Sequence, residues 1–68
     1  MSIFSKRLRE LRTEKQLSQK KLAEIIQTNN SSVCDWECGR SEPSIEVIIK
    51  LCKLFSVSAD YLLGLTDY

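Results

Sequence analysis

The chain has 68 residues, 43% of them hydrophobic, with only two Gly and one Pro; that suits one small domain with a core and argues against disorder. Charges begin at Lys6 and recur throughout, leaving no membrane-spanning apolar run and no signal-like segment, so a soluble, cytoplasmic protein is expected. His is absent and Cys numbers three. The commonest general base and zinc ligand are therefore missing, and neither an enzyme, a disulfide framework, a cofactor nor a small-molecule substrate is expected.

A first helix is predicted from Ser2 or Ile3 to Lys15, because Phe4, Leu8 and Leu11 recur at helical spacing. Arg12 borders that apolar stripe and calls for a partner. The net charge of +1 divides unevenly: residues 1–21 hold seven Lys/Arg against Glu10 and Glu14, a balance of +5, and residues 22–68 balance to −4. A basic first third either attracts phosphates or is a solvated helix face, and charge alone does not choose.

Ser18 caps a second helix, Gln19 to about Ile26, whose Leu22, Ala23 and Ile26 face inward. Gln27-Thr28 form a tight turn and Asn29 caps a third helix from Asn30 to about Cys38, stopped by Gly39. Pro43-Ser44 open a fourth helix running to about Phe55. Its Ile45, Ile48, Cys52 and Phe55 make one stripe, widened by Val47, Leu51 and Leu54; Glu46, Lys50 and Lys53 claim solvent. Ser58 caps a short fifth helix, Ala59–Leu63, ended by Gly64, and residues 65–68 are a tail. Residues 1–64 thus read as an all-α, compact five-helix bundle.

About 100° per residue divides the third helix into two faces. Val33 and Trp36 point inward, flanked by Glu37 and Asn29, which makes Trp36 a core residue rather than a stacking platform. Ser31, Asp35 and Cys38 lie opposite, with Cys34 beside them and Asn30 at the first turn. That outer face is small and polar, and fits closely into a groove. Asn30 can pair bidentately with an adenine edge, Asp35 can accept from a cytosine amino group, and Ser31 can bond either way. They equally suit an ordinary solvated surface. The helix holds no Lys or Arg, so attraction to phosphates must come from Lys20, Lys21, Arg40 and the first helix.

Leu17-Ser18-Gln19, Leu22-Ala23, Val33, Trp36-Glu37, Gly39-Arg40 and Glu42-Pro43-Ser44 resemble the helix-turn-helix of lambda-repressor-like (XRE-type) proteins, and Val57 to Gly64 resembles their fifth helix. The resemblance covers residues 6–64. It implies a sequence-specific, double-stranded DNA-binding transcriptional repressor that binds an inverted-repeat operator as a homodimer. It places Asn29, Asn30, Ser31 and Asp35 near base edges. Ser18, Gln19, Lys20 and Arg40 fall at phosphates, and Arg12 with Glu37 in a structural ion pair. Three positions depart from the family pattern. Gln27 stands where Gly is usual and strains the turn if its φ is positive; Thr28 replaces an aliphatic residue; Asp35 replaces a basic or amide residue.

Cys34 and Cys38 are four apart on one helix, but a zinc site normally takes four ligands, so free thiols are expected, with Cys52 an apolar filler. Oxidation of the groove-facing pair is a residual reading. Tyr61 or Tyr68 is available for a subunit contact. The rival function is a protein-interaction module of antitoxin or anti-repressor-binding type, favoured by the acidic balance after residue 21.

Overall fold

The computed structural model describes residues 2–68, which form five helices: α1 (Ile3–Glu14), α2 (Gln19–Ile26), α3 (Asn30–Cys38), α4 (Ile45–Phe55) and α5 (Ala59–Leu63). The described residues contain no strand. Every helix starts on the same device. Ser2, Ser18, Asn29, Ser44 and Ser58 sit in extended conformation, and each side-chain oxygen accepts the N–H three residues on. Each cap satisfies one of the amides a helix start leaves unpaired, a contribution of about 1 kcal/mol.

The ends are set by left-handed residues: Gln27, Gly39, Ser56 and Gly64 close α2 to α5. Gly64 has a second reason to lack a side chain, since a Cβ there would stand 3.0 Å from Cγ2 of Ile3. That contact seats the start of α1 against the end of α5.

One core joins all five helices. Phe4 and Leu8 of α1 meet Leu22, Ala23 and Ile26 of α2, Val33 and Trp36 of α3, Leu51 and Phe55 of α4, and Leu62 of α5. Fully burying one such side chain contributes about 1.5–3 kcal/mol. Ser5 is buried as well, and its hydroxyl donates to the Trp36 carbonyl at 2.6 Å, tying α1 to the last turn of α3.

Helix α4 departs from the expectation in two ways. Ile45, placed on the inward stripe by its spacing, is 77% exposed, and Ile49 is 49% exposed. The core covers α4 through Val47, Ile48, Leu51, Cys52, Leu54 and Phe55, so the apolar girdle extends past the neighbours available to bury it. Lys50, assigned to solvent, instead turns its ammonium to the end of α2. It donates to the Ile26 carbonyl at 3.3 Å and to Oε1 of Gln27 at 3.4 Å, where carbonyls lack helical partners. Cys52 is half-buried against the core.

Candidate nucleic-acid interface

Helices α2 and α3 are held as a unit by a three-residue link and a shared apolar seam. Gln27 adopts φ 64° and ψ 50°, and the N–H of Thr28 donates to the Ala23 carbonyl at 2.8 Å. A residue other than Gly in this region costs about 1–2 kcal/mol, so the sharp turn is maintained against strain. Lys50 on the Ile26 carbonyl supports it from α4.

The end of α3 is fixed from inside. Glu37 is fully buried. Its carboxylate accepts from Nε of Arg12 at 2.7 Å, from Nη2 of Arg12 at 3.1 Å and from Nε2 of Gln19 at 3.1 Å, with Nε of Arg9 3.6 Å away. Arg12 also donates through Nη1 to the Leu17 carbonyl at 2.7 Å. Burial alone would raise the Glu37 carboxyl. The Arg12 and Gln19 donors and the positive charges of Arg12 and Arg9 outweigh it and hold the group below the usual carboxylate value. One carboxylate therefore links α1, the first residue of α2 and the last turn of α3.

That network governs Gln19, assigned to a phosphate. Its amide is committed through one N–H to Glu37, leaving the other for an outside acceptor. Ser18 is the cap of α2, its Oγ accepting from the Lys21 N–H at 3.0 Å, and Lys20 beside it is exposed. Lys21 stands 3.8 Å from Glu24, both well exposed.

The outer face of α3 carries the other assigned residues. Asn30 and Ser31 are exposed. Asn29 is partly occupied as a cap: its Oδ1 accepts from the Ser32 N–H and the Ser31 hydroxyl, each at 2.8 Å. Its amide donors remain for a base edge. Asp35 and Arg40, assigned to a base and a phosphate, lie close enough to pair, with Nη1 3.6 Å from Oδ1. Both are partly exposed, so the pair is weak and exchangeable. Cys34 and Cys38 complete the face, their sulfurs 3.9 Å apart. The bond to Cys38 and its charge raise the Cys34 thiol above the usual cysteine value, and burial raises Cys52. All three thiols are free. Among the described residues no cluster of three or more His, Cys, Asp or Glu can enclose a metal, and no helix is long and apolar enough to cross a membrane.

Arg7 is a structural residue that sequence reasoning left in the basic surface. Nη1 donates to the carbonyls of Tyr61 and Thr66, the latter at 2.7 Å. The guanidinium lies 4.2 Å from the Tyr61 ring centroid, an attractive cation–π geometry. Its partners are 54 and 59 residues away, and no local pattern marks them.

The arrangement matches known proteins along most of its length. A helix-turn-helix family model covers residues 8–62. The HTH-type transcriptional regulator YobD of Bacillus subtilis is 38% identical over 65 residues, 96% of this chain and 58% of its own. The chain spans about half the length of the curated relatives it matches. Among solved structures, the P22 c2 repressor in complex with a synthetic operator superposes with TM-score 0.85 at 28% identity, covering 93% of this chain and 96% of that one. The restriction-modification controller protein C.AhdI of Aeromonas hydrophila gives TM-score 0.78 at 38% identity, covering 88% and 91%. With the family model, the helix order and the buried α1–α3 tie all in agreement, the chain belongs to the lambda-repressor-like helix-turn-helix family.

Proposed function

We propose that the chain is a sequence-specific, double-stranded DNA-binding transcriptional repressor of the cytoplasm that sets α3 in the major groove of an inverted-repeat operator as a homodimer. The observation that carries the reading is the rigidly fixed α3. Its inner face is locked by Val33, Trp36 and Glu37, and its outer face presents exposed Asn30 and Ser31 on a surface without long side chains. Groove reading needs such a pre-positioned helix whose first residues reach base edges. The P22 c2 repressor, caught on a synthetic operator, has the same fold.

In this reading Asn29, Asn30, Ser31 and Asp35 contact bases, and Ser18, Gln19, Lys20 and Arg40 contact phosphates. The Asp35–Arg40 pair must open on docking, which releases Arg40 to phosphate and Asp35 to a cytosine amino group. Two features support a dimer contact through α4 and α5. Ile45 and Ile49 are exposed one turn apart, and a groove beside them is lined by Phe4, Glu42, Pro43, Ile48 and Leu63. Burying that patch against a second copy would align two reading helices. Tyr61 is taken up by Arg7, which leaves Tyr68, 92% exposed, as the aromatic candidate for that contact.

A protein-docking module remains the second reading, favoured by an α3 with no basic residue and by the Asp35–Arg40 neutralisation. Selection of binding sites from random duplexes at two salt concentrations tests both. An enriched palindrome whose binding weakens with salt supports the repressor; no enrichment favours the docking module.

A further inference from the structure

The pair of thiols on α3 has no part in the network that fixes the helix. Cys34 is half-buried and Cys38 exposed, and they lie on the same side as Ser31 and Asp35 with their sulfurs 3.9 Å apart. A disulfide suits them poorly. Residues four apart on a helix have Cβ atoms about 5–6 Å apart, against the roughly 3.5–4.5 Å a disulfide needs. Closing one would break the last turn of α3, which Glu37 and the Gly39 cap hold in place. A metal ion asks for less movement. Two thiolates bound at about 2.3 Å to a tetrahedral ion stand about 3.8 Å apart, close to the spacing already present.

We propose that Cys34 and Cys38 form a bidentate site for a thiophilic d10 cation of the zinc and cadmium class, and that an ion seated there blocks the DNA-facing surface of α3. As two metal–sulfur bonds form, each thiol releases its proton to solvent; nothing is oxidised or reduced. The two negative sulfurs, which otherwise repel, are neutralised by the dication. Among the described residues no third protein ligand stands with them, so two coordination positions stay open to water and the ion is exchangeable rather than structural. The ion and its waters would stand on the Cys34–Cys38 edge of the outer face, beside Ser31 and Asp35, where close approach to base edges is required. That second half rests on the proposed groove docking.

Titration of the reduced protein with Cd²⁺, followed by the ultraviolet thiolate-to-cadmium charge-transfer band, tests the site without DNA. The expected result is a saturable band lost in Cys34→Ser and in Cys38→Ser and retained in Cys52→Ser, with helix content unchanged by circular dichroism. A band that survives both α3 substitutions, or no band, overturns the site. In parallel, Cd²⁺ should abolish binding of a selected duplex by the native chain and leave binding by Cys38→Ser intact. Duplex binding unaffected by a saturating ion overturns the blocking role. If the metal-free chain binds no duplex, the repressor reading fails while the band still decides the site.

Discussion

Replacing Glu37 by Gln keeps the shape and removes one charge at the junction of three helices. Glu37 is fully buried and accepts three hydrogen bonds, two from Arg12 and one from Gln19. In the variant one of its two acceptors becomes an amide facing N–H donors, and the Arg12 guanidinium loses its counter-charge. Removing one partner of a buried pair costs about 3–5 kcal/mol. The Arg12 side chain keeps 17% exposure, so the low end, about 3 kcal/mol, is expected. A domain of this length has about 3–10 kcal/mol in total, and the corresponding fall in Tm is about 12–24 °C. Urea unfolding followed by the fluorescence of Trp36, the one tryptophan and a core residue, measures it. The double variant Arg12→Met with Glu37→Met should be far more stable than the two single losses combined, because no unpaired charge remains buried. A loss below about 1 kcal/mol, or additive single losses, would refute the coupling. The pH dependence has a fixed sign. A carboxyl held below its unfolded value of about 4.3 stabilises the fold above that pH, and the contribution fades as pH falls through the lower folded value. The native chain should therefore lose stability more steeply below about pH 4 than Glu37→Gln does.

Arg7→Ala should cost about 1–3 kcal/mol through its charge-assisted bonds to Tyr61 and Thr66. Amide exchange should quicken in α5 and the tail and stay unchanged in α2 and α3; uniform acceleration would contradict a local clasp. Gln27→Gly removes the left-handed strain but loosens the unfolded chain and gives up the 3.4 Å contact to Lys50. The net expected gain is at most about 1 kcal/mol in Tm-derived stability, and a loss of about 1 kcal/mol or more, the full size of the two opposing effects, would show the turn unstrained. Asn30→Ala should weaken binding by about 1–3 kcal/mol and relax preference at one base pair, whereas Arg40→Ala should weaken all duplexes alike. Equal, sequence-blind losses in both would remove Asn30 from base reading.

Local chemistry made most of the fold legible. Four serines and an asparagine stand one residue before apolar-periodic runs, and each is a cap because its side chain needs only its own next turn. Gly39 and Gly64 mark ends for the same local reason. What escaped depends on distant partners. Periodicity shows which face of α4 is apolar, but not how far the neighbours reach to cover it, so Ile45 was placed inward and stands in solvent. Lys50 and Arg7 read as solvated charges, yet Lys50 caps a carbonyl at the end of α2 and Arg7 binds carbonyls of α5 and the tail, partners that no spacing in the sequence connects to them. At the site, the family resemblance puts Asn29 and Ser31 near base edges, and only the geometry shows them bonded to one another.

The same commitments change what the basic first third can do. Of its seven Lys/Arg, Arg12 is turned to buried Glu37, Arg9 leans toward the same carboxylate, and Arg7 holds the tail. Three of the seven are thus engaged with the fold itself, two of them on the one Glu37 carboxylate. Near the α2–α3 unit, Lys20, Lys21 and Arg40 remain exposed for phosphates. Three neutralised phosphates per chain, at about 0.9 ion released each, give a slope of log K against log salt near −3 for one chain and between about −5 and −6 for a dimer. Binding measured across a salt series on a selected duplex reads this directly. A slope near −10 would mean that Arg7, Arg9 and Arg12 leave their partners on docking, and a slope near zero would place the chain among protein-docking modules.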